Sequence, residues 1–232
     1  MVAEILCVGT ELLLGQVLNT DAQFLSRQLS EIGIQLYRIE TVGDNPGRVG
    51  QSVRGPLGRC DRLITTGGRG PTEDDLTKEM VAEELGLDMV EDAASMARLN
   101  EMYAAWGRKM PENNVKQAWF PRGAHILKNA RGTAPGCAVE VDGKIVIVLP
   151  GPPYELTHMF AEEAVPYLRN KLRYKIESRF IRTIEIGESD LEMQLRDMID
   201  RQTNVTIATY CSLGEAQVRL TVKCPGGDDP AK

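Results

Sequence analysis

At 232 residues the chain has room for one domain of ordinary size and a smaller companion, since domains commonly run to roughly 100–150 residues. Its 42% hydrophobic and 26% charged residues exclude a disordered, fibrous or collagenous chain. A net charge of −6 removes the attraction that drives non-specific nucleic-acid binding, and no apolar run approaches the ~20 residues that span a bilayer, so neither nucleic acid nor membrane is an expected partner.

Met1 leads straight into an apolar stretch with no charged leader, and the five cysteines are odd in number, scattered and without a C-x-x-C pair. They read as buried or incidental thiols in a reducing, cytoplasmic setting. With only His125 and His158, a Cys/His zinc site is not expected, and a metal would be a hard cation on oxygen ligands.

In chain order, residues 3–8 predict a first strand, and Thr20 or Asp21 caps a helix to about residue 32, with Ala22, Leu25, Leu29 and Ile32 on one face and Gly33 as its stop. Residues 34–42 form a second strand. A crossover helix is required near residues 46–57 although Gly47, Gly50, Gly55 and Pro56 oppose it. Residues 62–66 are a strand that runs into Gly67-Gly68-Arg69-Gly70-Pro71-Thr72, and residues 75–85 look helical. A helix follows over 91–106, then a polar stretch with Pro111, Asn113 and Asn114. Residues 124–127, 136–141 and 144–149 are strands, the last two joined by the hairpin signal Asp142-Gly143. A helix runs over 154–171. The tail reads strand 178–186, helix to residue 199 capped by a Ser189/Glu192 box, and strands 205–210 and 216–223, after which a loop begins that leaves the second unit looking truncated.

Alternating strands and helices imply a mostly parallel sheet covered on both faces, whose ligand crevice lies at the carboxyl ends of the strands. Three strands end there in polar clusters: Gly9-Thr10-Glu11 with Asn19 nearby, Gly43-Asp44-Asn45, and the glycine loop ending in Thr72-Glu73-Asp74-Asp75. Glycines let the backbone approach a ligand, and a helix N-terminus behind them favours an anion. The adjacent acids would repel bare phosphate, which makes sense if a divalent cation bridges carboxylate and phosphate oxygens. The bland alternative is a turn whose acids cap a helix, and it stays open. No Walker or G-x-G-x-x-G spacing is present. Two further Gly/Pro loops, around Thr133 and around Glu155, either wall a pocket or simply start a helix. Residues 78–87 are similar to the end of a Nudix box, but one extra residue turns the acid pair by about 100°, so they read as an ordinary amphipathic helix with its acids outside.

These motifs, Gly9 to Gln16, Asn19-Thr20, Val42 to Asn45, Gly67 to Glu79, Gly132 to Gly136 and Leu149 to Glu155, resemble the CinA family in order and content across about residues 3 to 170. The resemblance implies a three-layer, mostly parallel α/β fold of the molybdopterin-binding, MogA/MoaB-like type over residues 1–171, with a small KH-like α+β domain over 177–232. It further implies hydrolysis of ADP-ribose or a related nucleotide that depends on a divalent metal (Mg, Mn or Co), and a homodimer. Asp44 and Asp75 match the aspartates implicated in the family. Asp44, Asp75 and Glu11 are accordingly the catalytic candidates, and Asp44, Asp74 and Asp75 the metal candidates. Thr10, Asn19, Gly67, Gly68, Gly70, Pro71, Thr72, Thr133 and Glu155 are the candidates for holding a phosphate-containing, ADP-ribose-like ligand. Arg69 stands where the family usually has leucine, and its guanidinium either adds a phosphate contact or points into solvent.

Two other functions compete. The same loop suits molybdopterin or its adenylated form. A non-catalytic module that engages a partner through the tail is the other; against RNA as that partner, residues 177–232 lack the G-x-x-G loop of a nucleic-acid-binding KH domain. Family members often carry a nicotinamide-mononucleotide deamidase domain, which nothing in these residues matches, and no deamidase activity is assigned.

Overall fold

A computed structural model describes residues 1–68, 76–172, 174–212 and 215–225. The chain divides into two compact units, Met1–Gln28 with Ile34–Leu168 and Leu29–Gly33 with Arg169–Lys232.

The first unit is built on a six-stranded mixed sheet in the order β2-β1-β3-β8-β7-β6. β1 (Val2–Val8), β3 (Arg62–Thr66) and β8 (Lys144–Leu149) are parallel neighbours, buried along almost their whole length as strands covered on both faces must be. β2 (Gln35–Val42) extends the parallel set at one edge and is correspondingly exposed. At the other side β7 (Gly136–Val141) and β6 (His125–Leu127) run antiparallel. The β7–β8 hairpin turns at Asp142-Gly143, both with positive φ, and places β8 inside the sheet.

Side chains alternate across this sheet. Leu6, Val8, Leu63, Val146 and Val148 form one core cluster with Val49 and Val53 of α3 (Pro46–Leu57) and Val81 of α4 (Thr77–Glu84). On the opposite face Ile5, Cys7, Ile64 and Ile147 are also buried. Phe24 of α2 (Thr20–Glu31) meets Phe160 edge-on at 6.1 Å. α3 forms despite its three glycines and Pro56 because Val49 and Val53 gain core contacts that outweigh poor propensity. Asn45 caps it, accepting from the Arg48 N–H at 3.1 Å, and Pro46 takes the first position, where a missing N–H costs nothing.

α4 departs from the expectation of an amphipathic helix with its acids outside. Lys78 is buried, and its ammonium donates to the carbonyls of Lys116, Gln117 and Trp119, which makes a buried charge tolerable. Glu83 is exposed, but Glu84 is half-buried and takes a bidentate bond from Arg54 on α3 at 2.7 and 2.9 Å. Met89–Glu91 (β4) pairs antiparallel with Trp119–Pro121 (β5), a small sheet absent from the sequence reading, so the following helix α5 begins only at Ala93, capped by Asp92, and ends at Ala105. A 3-10 segment, Glu112–Ala118, leads into β5.

A helix is continuous from Pro153 (α6, Pro153–Met159) through a π turn, Phe160–Ala164, into α7 (Val165–Lys171). In the second unit β9 (Tyr174–Ile184), α8 (Glu188–Asp200), β10 (Val205–Ser212) and β11 (Glu215–Pro225) give an antiparallel sheet, order β10-β11-β9, with one helix. Leu191, Ala216 and Val218 are its buried centre. The Ser189/Glu192 capping box does not form: α8 starts at Glu188, with Gly187 at the cap and no side-chain cap bond. Among the described residues no helix is long and apolar enough to cross a membrane.

Candidate ligand-binding cleft

The carboxyl ends of β1, β2 and β3 and the Pro150–Pro153 turn after β8 surround one cleft of about 900 Å³ in the first unit. Its rim is tied by reciprocal bonds. The Thr10 N–H donates to Asp44 Oδ2 at 2.8 Å, and the Asp44 N–H donates to Thr10 Oγ1 at 3.1 Å, which locks the tip of β1 to the tip of β2. The Gly9 N–H adds a bond to the Val42 carbonyl at 2.9 Å.

At the tip of β3, Gly67 and Gly68 both take positive φ, +87° and +59°. A side chain at Gly67 would place its Cβ 2.0 Å from the Val8 carbonyl oxygen, so only glycine lets β3 turn this close to β1. Thr77 holds that turn against α4: its hydroxyl donates to the Gly67 carbonyl at 3.1 Å, and its N–H donates to the Gly68 carbonyl at 3.0 Å.

The opposite wall is organised by Asn129, which is 2% exposed. Its amide donates to Glu155 Oε2 at 2.6 Å and to the Ala134 carbonyl at 3.0 Å, its Oδ1 accepts from the Arg131 N–H at 2.9 Å, and its carbonyl accepts from Arg98 at 2.6 Å. One buried amide thus holds Glu155 and the Thr133 loop together.

The candidates within the described residues, Thr10, Glu11, Asn19, Asp44, Gly67, Gly68, Thr133 and Glu155, all line this cleft. Gly70, Pro71, Thr72, Asp74 and Asp75, with Arg69, lie outside the described residues. Asn19 is also the cap of α2, in place of the expected Thr20 or Asp21: its Oδ1 accepts from the Ala22 N–H at 3.0 Å. Three residues of the site were not site candidates in the sequence. Asn129, which fixes the lining residue Glu155, carries no motif. Gln117 lines the cleft with its Oε1 buried and unpartnered. Asp21, released from capping, is 9% exposed and lines the cleft beside Thr66. Burial pushes its carboxyl up to about 6, against the opposing pull of the Thr66 hydrogen bond. Burial likewise pushes up the neighbouring Cys7 thiol, which the Asn19 contact lowers and the Asp21 charge raises.

The metal is tested by the donors present. Of the three candidate aspartates only Asp44 is described, and among the described residues no group of three or more histidine, cysteine or acidic side chains could hold a metal ion. The described part of the cleft therefore does not by itself make a metal site, and no chemical step is derived through one.

Glycines at the tip of β3, an aspartate at the tip of β2 and a cleft at the carboxyl ends of parallel strands define the class of α/β ligand-binding domains. Residues 4–170 match the family model described as Probable molybdopterin binding domain, and residues 178–229 match that of the Damage-inducible protein CinA KH domain. The structure of the CinA protein of Thermoplasma acidophilum, itself of unknown function, superposes with a TM-score of 0.67 at 33% identity, covering 72% of this chain and 97% of that one. The chain belongs to the CinA family. A competence-damage inducible protein of Acetivibrio thermocellus is 50% identical over 223 residues, 96% of this chain and 54% of that protein, so the chain spans about half the length of the curated relatives it matches. A Corynebacterium diphtheriae structure named for molybdenum cofactor biosynthesis shares the fold at TM-score 0.51 and 15% identity, over 74% of this chain and 95% of that one.

Proposed function

We propose that the cleft binds a pyrophosphate-bearing nucleotide and hydrolyses its pyrophosphate bond, with ADP-ribose or a related nucleotide as substrate and a divalent metal ion (Mg, Mn or Co) as cofactor. The observation that carries this reading is convergence: three strand tips and two loops, each bearing polar or acidic groups, open onto a single cleft at the carboxyl edge of a parallel sheet. Its volume is within the range of sites for ligands of this size, roughly 300–1,000 Å³. Gly67 and Gly68 offer backbone to a phosphate at the tip of β3, and Thr10 a hydroxyl at the tip of β1.

In the proposed reaction a water oxygen bonds to one phosphorus, the bridging P–O bond breaks, and AMP and ribose 5-phosphate leave. Glu11 and Asp44 are the described acids that face the substrate and orient the water. Asp44 is the described residue that would hold a divalent metal, with Asp74 and Asp75 as the further candidates the family resemblance implies; bound there, the ion would supply positive charge beside the phosphates. Glu155, fixed by Asn129, positions the far end of the ligand.

The second reading is binding of molybdopterin or its adenylated form, favoured by the family model over residues 4–170. Both readings place a bulky phosphate-bearing ligand against the same glycines, and chemistry separates them. Incubation with ADP-ribose and Mg²⁺, Mn²⁺ or Co²⁺, with products followed by chromatography, is expected to release AMP. Asp44→Asn keeps an acceptor for the Thr10 N–H but loses the charge, and is expected to slow release by about 100-fold or more. No AMP with any metal, together with saturable binding of molybdopterin, would replace the first reading with the second.

A further inference from the structure

The floor of the cleft carries a hydrogen-bond chain whose protons do not balance if every acid in it is ionised. Thr66 Oγ1 lies 3.0 Å from Asp21 Oδ2 and 3.0 Å from the Pro150 carbonyl oxygen. A hydroxyl has one proton, and a carbonyl only accepts. With Asp21 ionised, two acceptors compete for that single proton. With Asp21 neutral the chain closes: the Asp21 Oδ2–H donates to Thr66 Oγ1, and the Thr66 O–H donates to the Pro150 carbonyl.

The other carboxyl oxygen, Asp21 Oδ1, is buried without a partner. A lone buried acceptor is costly, and protein sites rarely keep one without use. The same cleft holds a second, Gln117 Oε1, on a residue only 4% exposed. Two orphaned acceptors in one cleft call for a ligand that brings O–H or N–H donors.

We propose that Asp21 works as a neutral carboxylic acid, anchored through Thr66 to Pro150, that presents Oδ1 as a fixed acceptor for a hydroxyl or N–H of the bound ligand. Asp21 is thereby a specificity residue that reads the sugar or base of the ligand, apart from the acids that face the phosphates. Burial pushes the Asp21 carboxyl up to about 6, so the neutral form predominates below that pH, which is the range to which the proposal applies. Its titratable neighbour Cys7 is also pushed toward neutrality, first by burial. The inference rests on the cleft being the ligand site proposed above.

Asparagine is the isostere of a neutral aspartic acid: its amide donates to Thr66, and its Oδ1 still accepts. The test is calorimetric titration of the full chain with ADP-ribose at about pH 5, where the Asp21 carboxyl is protonated, comparing wild type, Asp21→Asn and Asp21→Leu. The expected result is affinity within about two-fold of wild type for the asparagine variant and a loss of roughly ten-fold or more for the leucine variant. Equal losses in both variants would show a working carboxylate and overturn the proposal. AMP and ribose 5-phosphate, titrated separately, locate the donor: the half weakened in Asp21→Leu carries it.

If wild type does not bind ADP-ribose, the substrate reading fails, but Asp21 is still decided by melting curves of the unliganded protein. A carboxyl raised from 3.8 to about 6 on folding contributes stability below about pH 4 that is lost as pH rises through about 6. Asp21→Asn is therefore expected to melt roughly 5 °C above wild type at pH 8 and level with it at pH 4. An asparagine variant that melts below wild type at pH 8 would overturn the neutral-acid assignment.

Discussion

The two units bury their apolar side chains in very different ways. In the first, β1, β3 and β8 are sealed on both faces, so the sheet offers a ligand nothing but its strand tips, and the polar residues gather there. In the second, an antiparallel sheet and one helix centre on Leu191, Ala216 and Val218, while Phe180, Ile181 and Ile184 on β9 stay exposed. A doubly covered sheet spends its apolar surface on stability and concentrates function at an edge; a small unit with a thin core has little to spare. The contrast explains why every described site candidate falls in the first unit.

The contrast is most severely tested at Gly67, where the tightness of the sheet and the shape of the cleft depend on one residue. Gly67→Val meets both a positive φ and the Val8 carbonyl, and is expected to cost roughly 4 kcal/mol or more in urea unfolding and to abolish ligand binding. Leu191→Ala truncates the buried side chain that α8 contributes to the second unit's small core. A loss of about 2–4 kcal/mol is expected in that unit, with the first unit's unfolding unchanged. A single shared shift in both transitions would break the comparison. The smallest effect is expected at the wall: Asn129→Ala strands the Ala134 carbonyl and Glu155, and should cost about 1–3 kcal/mol while weakening ADP-ribose binding. Unchanged affinity there would remove Glu155 from the ligand's path.

Much of the architecture was legible because it rests on local chemistry. β3, β7 and β8 match the expected residues 62–66, 136–141 and 144–149, since apolar runs bounded by Gly, Pro or Asp-Gly leave little freedom. β4 and β5 were missed because three residues carry no period, and their pairing spans a separation no local pattern reports. The π turn at Phe160–Ala164 has no composition cue. The cap of α2 slipped by one or two residues among Asn19, Thr20 and Asp21, all plausible caps, and that slip concealed Asp21's place in the cleft.

The site divides the same way. Glu11, Asp44 and the glycines follow strands directly, so topology alone places them on one rim. Gln117 reaches the cleft, and Asn129 reaches Glu155 on its wall, only through long-range packing, and an isolated buried amide has no signature in sequence. Glu155 was legible as a loop acid, but the partner that fixes it was not.

The most direct test of the cleft as a nucleotide site is calorimetric titration of the full chain with ADP-ribose in the presence of Mn²⁺, at a temperature where turnover is slow, alongside Asp44→Asn. The account predicts one saturating site whose affinity falls about ten-fold or more in the variant. Absence of binding in the wild type, or equal affinity in the two proteins, would contradict it.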